Sequence, residues 1–257
     1  MYTTDSKKLL NVVNLLMQKK AEIDSFFEAT TFSPYDIDIG NCLITQNLGD
    51  TKRLLDLSFT TRQGGQNKAA IKNYEEKNDN ILEKLKFSMA LLLDESREPA
   101  ERYEMALGLI NSIENVGQKI ATMFLKFLVY YSKGFPRKEE LERELFIPFD
   151  SHVIKLLFTK VDGQTTNRLN LYDGSINQAA LYYDIHSTSP FTFRNTKLIK
   201  LQRNIRDDFD ELEIKEPPII LDYLWYAGSM YCSKSFGDIG CRICFLKDDC
   251  QKPFGIR

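Results

Sequence analysis

The chain has 257 residues, of which 43% are hydrophobic and 27% charged, and its formal net charge is −2. Such a chain can bury a sizeable core, and the small numbers of Gly and Pro exclude collagen-like and broadly disordered proteins. Its apolar runs are too short for a transmembrane helix, and its N-terminus lacks the basic, apolar and small-residue order of a signal peptide. We therefore expect an intracellular protein of the cytoplasm or nucleoid.

Hydrophobic residues recur at helical spacing through most of the chain. The clearest stretches are residues 6–18 and 79–94, and weaker ones cover residues 101–113, 117–131 and 219–231. The alternation typical of strands is confined to short, weak segments near residues 157–172. The sequence therefore predicts an all-α fold.

A polar side chain, Gln46, follows the apolar run Leu43-Ile44-Thr45. A side chain in this place could enter a DNA duplex and fill the space left by an extruded base. Taken alone, the pattern is more typical of an ordinary helix end, with the nearby Cys42 buried as a small hydrophobic residue.

A tight turn between two predicted helices precedes a lysine that could act as a nucleophile. The turn contains Asn115 and Gly117, which tolerate backbone conformations that most residues avoid. The N–H groups at the start of the second helix could receive a phosphate. Lys119 lies in the first turn of that helix, where the helix dipole favours a neutral amine able to form a Schiff base. Taken alone, the segment is more typical of a helix–turn–helix connection with a solvated lysine.

An aspartate stands where the next helix is predicted to begin, and Ser151 and His152 follow it. In its simplest role, Asp150 caps this helix. In a functional role, its carboxylate would activate a nucleophile and stabilise positive charge that develops on a sugar ring. His152 is likewise more typical of packing or capping than of ligand binding.

Four of the five cysteines lie within the last 26 residues, which favours a metal site because intracellular thiols stay reduced. The gaps between them are eight, two and five residues. Four thiolates in one compact loop can hold an iron–sulfur cluster, and tetrahedral zinc is the alternative. The four residues are Cys232, Cys241, Cys244 and Cys250.

In this order, the four motifs resemble the helix-hairpin-helix DNA glycosylase superfamily, in its endonuclease III-like branch with a 4Fe–4S cluster. The run Asn115-Val116-Gly117-Gln118-Lys119 is similar to the family hairpin Leu-Pro-Gly-Val-Gly-x-Lys-Thr-Ala, and Asp150-Ser151-His152 is similar to its Val-Asp-Thr-His segment. Asn115 departs from the pattern because it replaces the first hairpin glycine. The 31 residues from Lys119 to Asp150 also exceed the family's compact spacing, and we expect an added helix at residues 137–145 to account for them.

The resemblance implies two helical domains. Residues 41–145 would form a six-helix barrel that contains the hairpin. Residues 1–40 and 146–257 would form a second domain from the N-terminal helix and the C-terminal cluster loop. Double-stranded DNA with a damaged or mismatched base would lie between them, and we expect a monomer.

The resemblance also implies a role for each site residue. Lys119 would be the Schiff-base nucleophile of a base-excision-repair glycosylase with AP lyase activity, and Asp150 the essential carboxylate. Gln46 would fill the vacated stack. The remaining contacts to DNA would come from Asn115, Val116, Gly117 and His152, and the cluster would be ligated by Cys232, Cys241, Cys244 and Cys250.

Two further segments are open to interpretation. Residues 159–200 would be an insertion, whose aromatic side chains either shape a base pocket or pack an added subdomain. In the second segment, basic residues recur at three-residue steps. They would either follow the DNA backbone or form a solvated helix face. These residues are Arg194, Lys197, Lys200, Arg203 and Arg206.

Two alternatives remain open for the function. In one, the protein is a monofunctional glycosylase in which Asp150 activates water and Lys119 is a bystander. In the other, it is a non-catalytic iron–sulfur protein that binds DNA. The net charge of −2 is less basic than is usual for a DNA-binding protein.

Overall fold

A computed structural model describes residues 3–59, 68–166, 168–178, 197–215, 217–232 and 237–251. This part of the chain is mostly helical, which confirms the predicted helical character. Every helix in it is too short or too polar to cross a lipid bilayer.

The N-terminal part of the chain is helical from Ser6 onward. Asp5 caps the first helix by accepting a hydrogen bond from the backbone N–H of Lys8 (3.1 Å), and one face of this helix packs into the core through Leu9 and Leu16. A π-helical turn and a 3-10 turn follow the second helix. The helices before residue 100 are α1 Ser6–Gln18, α2 Lys20–Phe27, α3 Cys42–Thr45, α4 Leu48–Leu57, α5 Lys68–Glu76, α6 Ile81–Leu93 and the start of α7 Pro99–Asn111.

The next helix, α8 Gln118–Tyr130, is the central element of the fold. Its side chains at Phe124, Leu125 and Leu128 are fully buried, and it contacts α3, α4, α7 and α9. The remaining helices are α9 Lys138–Arg143, α10 Ser151–Leu157, α11 Lys197–Glu211, α12 Tyr223–Tyr231 and α13 Gly237–Ile243, with a 3-10 turn at Pro218–Asp222. The helix expected at residues 137–145 is therefore present as α9.

A small sheet supplements the helices, so the described chain is not purely α-helical. Its strands, in the order β1-β4-β2-β3, are β1 Thr3–Thr4, β2 Phe158–Val161, β3 Gln164–Thr165 and β4 Tyr172–Ile176. Strands β2 and β4 run parallel, and the other pairs are antiparallel. The β2–β3 turn contains Asp162 and Gly163, both at positive φ, as a tight hairpin requires.

The chain's beginning packs against its later part. Thr3 pairs with Asp173 across the sheet, α1 contacts the Pro218–Asp222 turn, and Asn11 donates a hydrogen bond to Asp249 (2.8 Å). These contacts bring α1 and the cysteine-rich segment together.

Helices α10 and α12 approach closely because α12 carries a glycine at the contact. A Cβ atom added at Gly228 would lie 2.8 Å from the Cβ atom of His152. This is far below ordinary van der Waals contact, so α10 can pack in this place only against a residue without a side chain.

We predict that Gly228→Ala lowers the free energy of unfolding by about 1–3 kcal/mol, because the new methyl group must push α10 away from α12. Denaturant unfolding would measure the change. Gly40→Ala is the matched control, since the nearest atoms to its added Cβ would lie 3.7 Å away, at ordinary van der Waals distance. Equal stability of the two variants would contradict this account of the helix contact.

Candidate active site

Lys119 lies in the first turn of α8 and is half-buried. Gly117 is the N-cap of this helix, in an extended conformation, and no side chain caps the helix end. The first N–H groups of a helix have no partner within the helix. The N–H groups next to the lysine at the start of α8 therefore have no partner within the helix.

The turn before α8 has the conformation predicted from its sequence. Asn115 has a φ of +68°, and its side-chain Nδ2 is buried without a hydrogen bond. Val116 is fully buried, and its N–H already donates to the carbonyl of Ile113 (3.0 Å). Val116 is thus a packing residue here.

Two polar side chains hold this turn from outside. Asn78 accepts a hydrogen bond from the N–H of Glu114 (2.9 Å) and donates to the carbonyl of the same residue (3.2 Å). Lys84 donates to the carbonyl of Ser112 (2.9 Å), and burial lowers the pKa of its amine. These contacts fix the direction in which α8 begins.

Asp150 is the N-cap of α10, as predicted. Its Oδ1 atom accepts hydrogen bonds from the N–H groups of His152 (2.8 Å) and Val153 (2.9 Å). The residue is 9% exposed. Both capping contacts use the same oxygen atom.

The segment that leads to Asp150 crosses the core without regular secondary structure. Residues 145–150 are all buried, so their backbone polar groups need partners inside the protein. The N–H of Phe146 donates to the hydroxyl of Tyr103 (3.0 Å). Gln202 accepts from the N–H of Ile147 (3.0 Å) and donates to its carbonyl (2.8 Å).

Gln118 joins this segment to the start of α8. Its Nε2 atom donates to the same carbonyl of Ile147 (3.1 Å). Gln118 precedes Lys119 directly, and Ile147 lies three residues before Asp150. A single buried hydrogen bond therefore connects the two segments that carry the predicted catalytic residues.

A second buried connection links α8 to the start of α12. Lys126 pairs with Asp222, and their side chains are only 2% and 6% exposed. Burial raises the pKa of the Asp222 carboxyl, and Lys126 opposes this rise. The charge of Asp150 raises the same pKa and that of Lys119 lowers it, so all four groups lie within electrostatic range.

Of the other predicted DNA contacts in the described part of the chain, Gln46 has no bond to this cluster, whereas His152 adjoins Asp150 through its backbone N–H. Gln46 is exposed and ends α3 in the left-handed conformation, with a φ of +49°. No hydrogen bond or ion pair in the described ranges joins it to Lys119 or Asp150. The His152 side chain is half-buried and packs against Gly228, which agrees with the packing role.

Two basic residues of α11 form ion pairs with acidic residues of other elements. Arg203 pairs with Glu104, and Arg206 pairs with Glu144. Both arginines are partly buried and tie α11 to the elements beside it, so neither the DNA-tracking nor the solvated-face interpretation describes them. Arg194 and the aromatic residues of the expected insertion, Tyr182, Tyr183, Phe191 and Phe193 with His186, lie outside the described residues.

The four C-terminal cysteines lie in one region. Burial, with smaller contributions from Cys232, Cys250 and Cys241, raises the pKa of Cys244 to about 12. Burial also raises the pKa of Cys232, whereas the charge of Arg168 lowers it. The thiols are thus close enough to affect one another's ionisation.

Four cysteine thiols are suitable ligands for an iron–sulfur cluster or for zinc, but their side chains are not arranged around a common metal position. In the described part of the chain, no group of three or more Cys, His, Asp or Glu side chains is placed to hold a metal ion. The segment is nevertheless anchored, because the N–H of Gln251 donates to the carbonyl of Arg168 (3.1 Å) and its side chain accepts from Asn170 (3.1 Å).

Comparison with known proteins does not define a family. No family model and no solved structure matches the chain. An aligned stretch of 113 residues is 26% identical to the DNA-directed RNA polymerase subunit beta' of Stenotrophomonas maltophilia (strain K279a) and covers 39% of this chain. The match spans only 8% of the length of that subunit.

We predict that Gln202→Leu lowers the free energy of unfolding by about 1–3 kcal/mol, because it leaves the buried N–H of Ile147 without a partner. Asn204→Leu, on the exposed side of the same helix, is the control and should change stability by less than about 0.5 kcal/mol. Urea unfolding of both variants would check this. A Gln202→Leu variant as stable as the control would show that Ile147 does not depend on the glutamine.

Proposed function

We propose that the chain is a DNA N-glycosylase with AP lyase activity, acting on a damaged or mismatched base flipped out of duplex DNA. One observation carries the proposal: the segments of Lys119 and Asp150, which are 31 residues apart in sequence, are joined by the buried hydrogen bond from Gln118 to the carbonyl of Ile147. A lysine and a carboxylate, each at the start of its own helix, are the groups that Schiff-base chemistry on a sugar requires.

In the proposed reaction, the Lys119 amine attacks the anomeric carbon of the flipped nucleotide. A carbon–nitrogen bond forms to the lysine while the bond to the base breaks, and the bonding electron pair leaves with the base. The sugar ring then opens to a Schiff base, from which the strand can be cut. Asp150 stabilises the positive charge that develops on the sugar and the lysine nitrogen.

Asp150 can serve this role and cap α10 at the same time. Its Oδ1 atom accepts both capping hydrogen bonds. The second carboxylate oxygen makes no hydrogen bond within the described residues, so it is the atom that would face the reacting sugar. The cap fixes the orientation of the carboxylate before DNA binds, which lowers the cost of positioning it during the reaction.

DNA would be held chiefly through its phosphates. The N–H groups at the start of α8 would favour an anion, and such contacts position a duplex without reading its sequence. Gln46 would fill the space of the extruded base, since it is exposed at the end of α3. Base extrusion costs a few kcal/mol and is easiest at a damaged or mismatched pair, which gives the enzyme part of its selectivity.

The two-domain arrangement belongs to the same proposal. Residues 41–145 would form the barrel that carries the hairpin, and residues 1–40 with 146–257 would form the second domain. The pairing of Thr3 with Asp173 and the bond from Asn11 to Asp249 support the grouping of the chain's two ends. The match to a subunit of a DNA-directed polymerase adds a link to nucleic acid and nothing finer.

The C-terminal cysteines would bind an iron–sulfur cluster that organises the last segment of the chain. Cys232, Cys241, Cys244 and Cys250 would be its ligands. Such a cluster would do no chemistry on the base, and no step of the proposed reaction depends on it. Its contribution would be to hold residues 232–251 against α1 and the sheet.

We predict that borohydride traps a covalent adduct between the protein and one duplex in a panel that carries single lesions or mismatches. Lys119→Gln should abolish the adduct, because it removes the amine. Lys155→Gln is the matched control, since Lys155 is an exposed lysine on α10. Asp150→Asn should slow base release by about a hundredfold or more, without unfolding the protein, because Asn also caps helices well.

The outcomes of this experiment separate the candidate functions. Base release without an adduct, revealed by alkali, would point to a monofunctional glycosylase in which Asp150 activates water. An adduct that survives in Lys119→Gln would show that another amine is the nucleophile. The absence of any base release across the panel would favour a non-catalytic DNA-binding protein.

We predict that the purified protein is brown and contains iron, because four thiolates bind iron–sulfur clusters. Cys244→Ala should lose the visible absorption and the iron. Cys42→Ala should keep both, because Cys42 is buried near Thr51, away from the other cysteines. If the protein is colourless and contains zinc, the cysteines form a zinc site and no iron–sulfur cluster. If it contains no metal and is fully stable, the metal site is contradicted.

A further inference from the structure

The buried pair of Lys126 and Asp222 has no part in the reaction as described so far. Around it the core is built from aliphatic and aromatic side chains. Lys126 Nζ lies 4.7 Å from the ring centre of Phe27 and 4.8 Å from that of Phe127. A buried ion pair is rarely more stable than apolar residues of the same size, because both charges lose their hydration. Folding stability therefore does not explain why two charges occupy this place.

The pair lies between the elements that carry Lys119 and Asp150. Lys126 follows Lys119 by seven residues in α8, which is two helical turns, so the two lysines lie on the same side of the helix. Asp222 immediately precedes α12, and α12 packs against α10, whose N-cap is Asp150. The ion pair thus bridges the supports of the two proposed catalytic groups.

Asp222 also lies within electrostatic range of both proposed catalytic groups. Asp222 responds to Lys126, Asp150 and Lys119, and its own charge acts on Tyr131. In a buried region such interactions are strong because water screens them poorly. A change of charge at Lys119 is therefore felt at Asp222, although no hydrogen bond joins these two residues.

We propose that Asp222, paired with Lys126 beneath α8, is a positioning residue of the site, whose negative charge stabilises the positive charge that forms at Lys119 during the reaction. This inference rests on the proposed glycosylase function and deepens it. Asp150 would act on the sugar directly. Asp222 would act at longer range, from beneath α8, and Lys126 opposes its protonation in this buried position.

The first test is independent of DNA and of any activity. The titration of the Asp222 carboxyl carbon can be followed by NMR, with its signal assigned by its loss in the double variant Lys126→Met with Asp222→Asn. In Asp150→Asn the pKa of Asp222 should fall, because a neighbouring negative charge is gone. In Lys119→Gln it should rise, because a positive charge is gone. A titration that neither substitution moves would overturn the coupling on which the proposal depends.

The second test measures the reaction. Asp222→Asn alone leaves a buried lysine without its partner and could unfold the chain, so the informative variant is the double substitution Lys126→Met with Asp222→Asn. We expect it to fold and to bind DNA within about twofold of wild type, since neither side chain is exposed. Its single-turnover rate should fall about tenfold or more, and the acidic limb of its pH–rate profile should move. Arg206→Met with Glu144→Gln removes another partly buried pair and is the control.

The two tests separate the failure of this inference from that of the proposed function. A double variant with the wild-type rate and pH profile would overturn the role of the pair even if the titrations respond as expected. A wild-type protein inactive on every duplex would overturn the glycosylase function, and the role of Asp222 with it. In that case the titrations would still decide whether the four charges are coupled.

Discussion

The site depends on one constraint above all others: residues 145–150 cross the core as an irregular segment, and their peptide groups must find partners there. Regular helices and sheets satisfy such groups within themselves, but this segment relies on side chains from three different helices. Tyr103 of α7, Gln118 of α8 and Gln202 of α11 supply the partners. Since an unpaired buried peptide group is costly, these contacts fix the path of the segment and deliver Asp150 to the start of α10.

A buried hydrogen bond also explains how two segments that are distant in sequence come together. Gln118 is both the first residue of α8 and a donor to Ile147. The next residue of the helix is Lys119, so the backbone of α8 and the segment before Asp150 share one hydrogen-bonded junction. On its other side, α10 packs closely against α12 at Gly228. Together these contacts hold Asp150 between two supports that are both tied to α8.

Local patterns predicted the local features of this protein well. Helical periodicity located α1, α6 and α8, the asparagine in the turn before α8 adopts positive φ as its residue type allows, and Asp150 caps a helix. Each of these features depends on interactions between residues close in sequence. For such features the physical preference of the residue and the final structure coincide.

Features that depend on partners distant in sequence could not be predicted from the sequence. The pairing of Thr3 with Asp173 required knowledge of where the sheet forms, and nothing in the spacing of α11 showed that Glu104 and Glu144 would neutralise its arginines. The buried glutamines and the Lys126–Asp222 pair were missed for the same reason. A polar residue within an apolar helical pattern is the only signal that could have found Lys126, and the pattern alone cannot name its partner.

Helix capping and catalysis are compatible roles for Asp150, although the sequence suggested them as alternatives. A carboxylate has two oxygens, and the cap uses only one of them. The positive end of the helix dipole favours negative charge in this place, which is also the charge that the proposed reaction requires. A helix N-terminus therefore holds the carboxylate in one orientation. The position of Asp150 as an N-cap therefore supports a functional role if a nucleophile lies near it. The hydrogen bond from Gln118 to Ile147 brings the segment that carries Lys119 to that side of the helix.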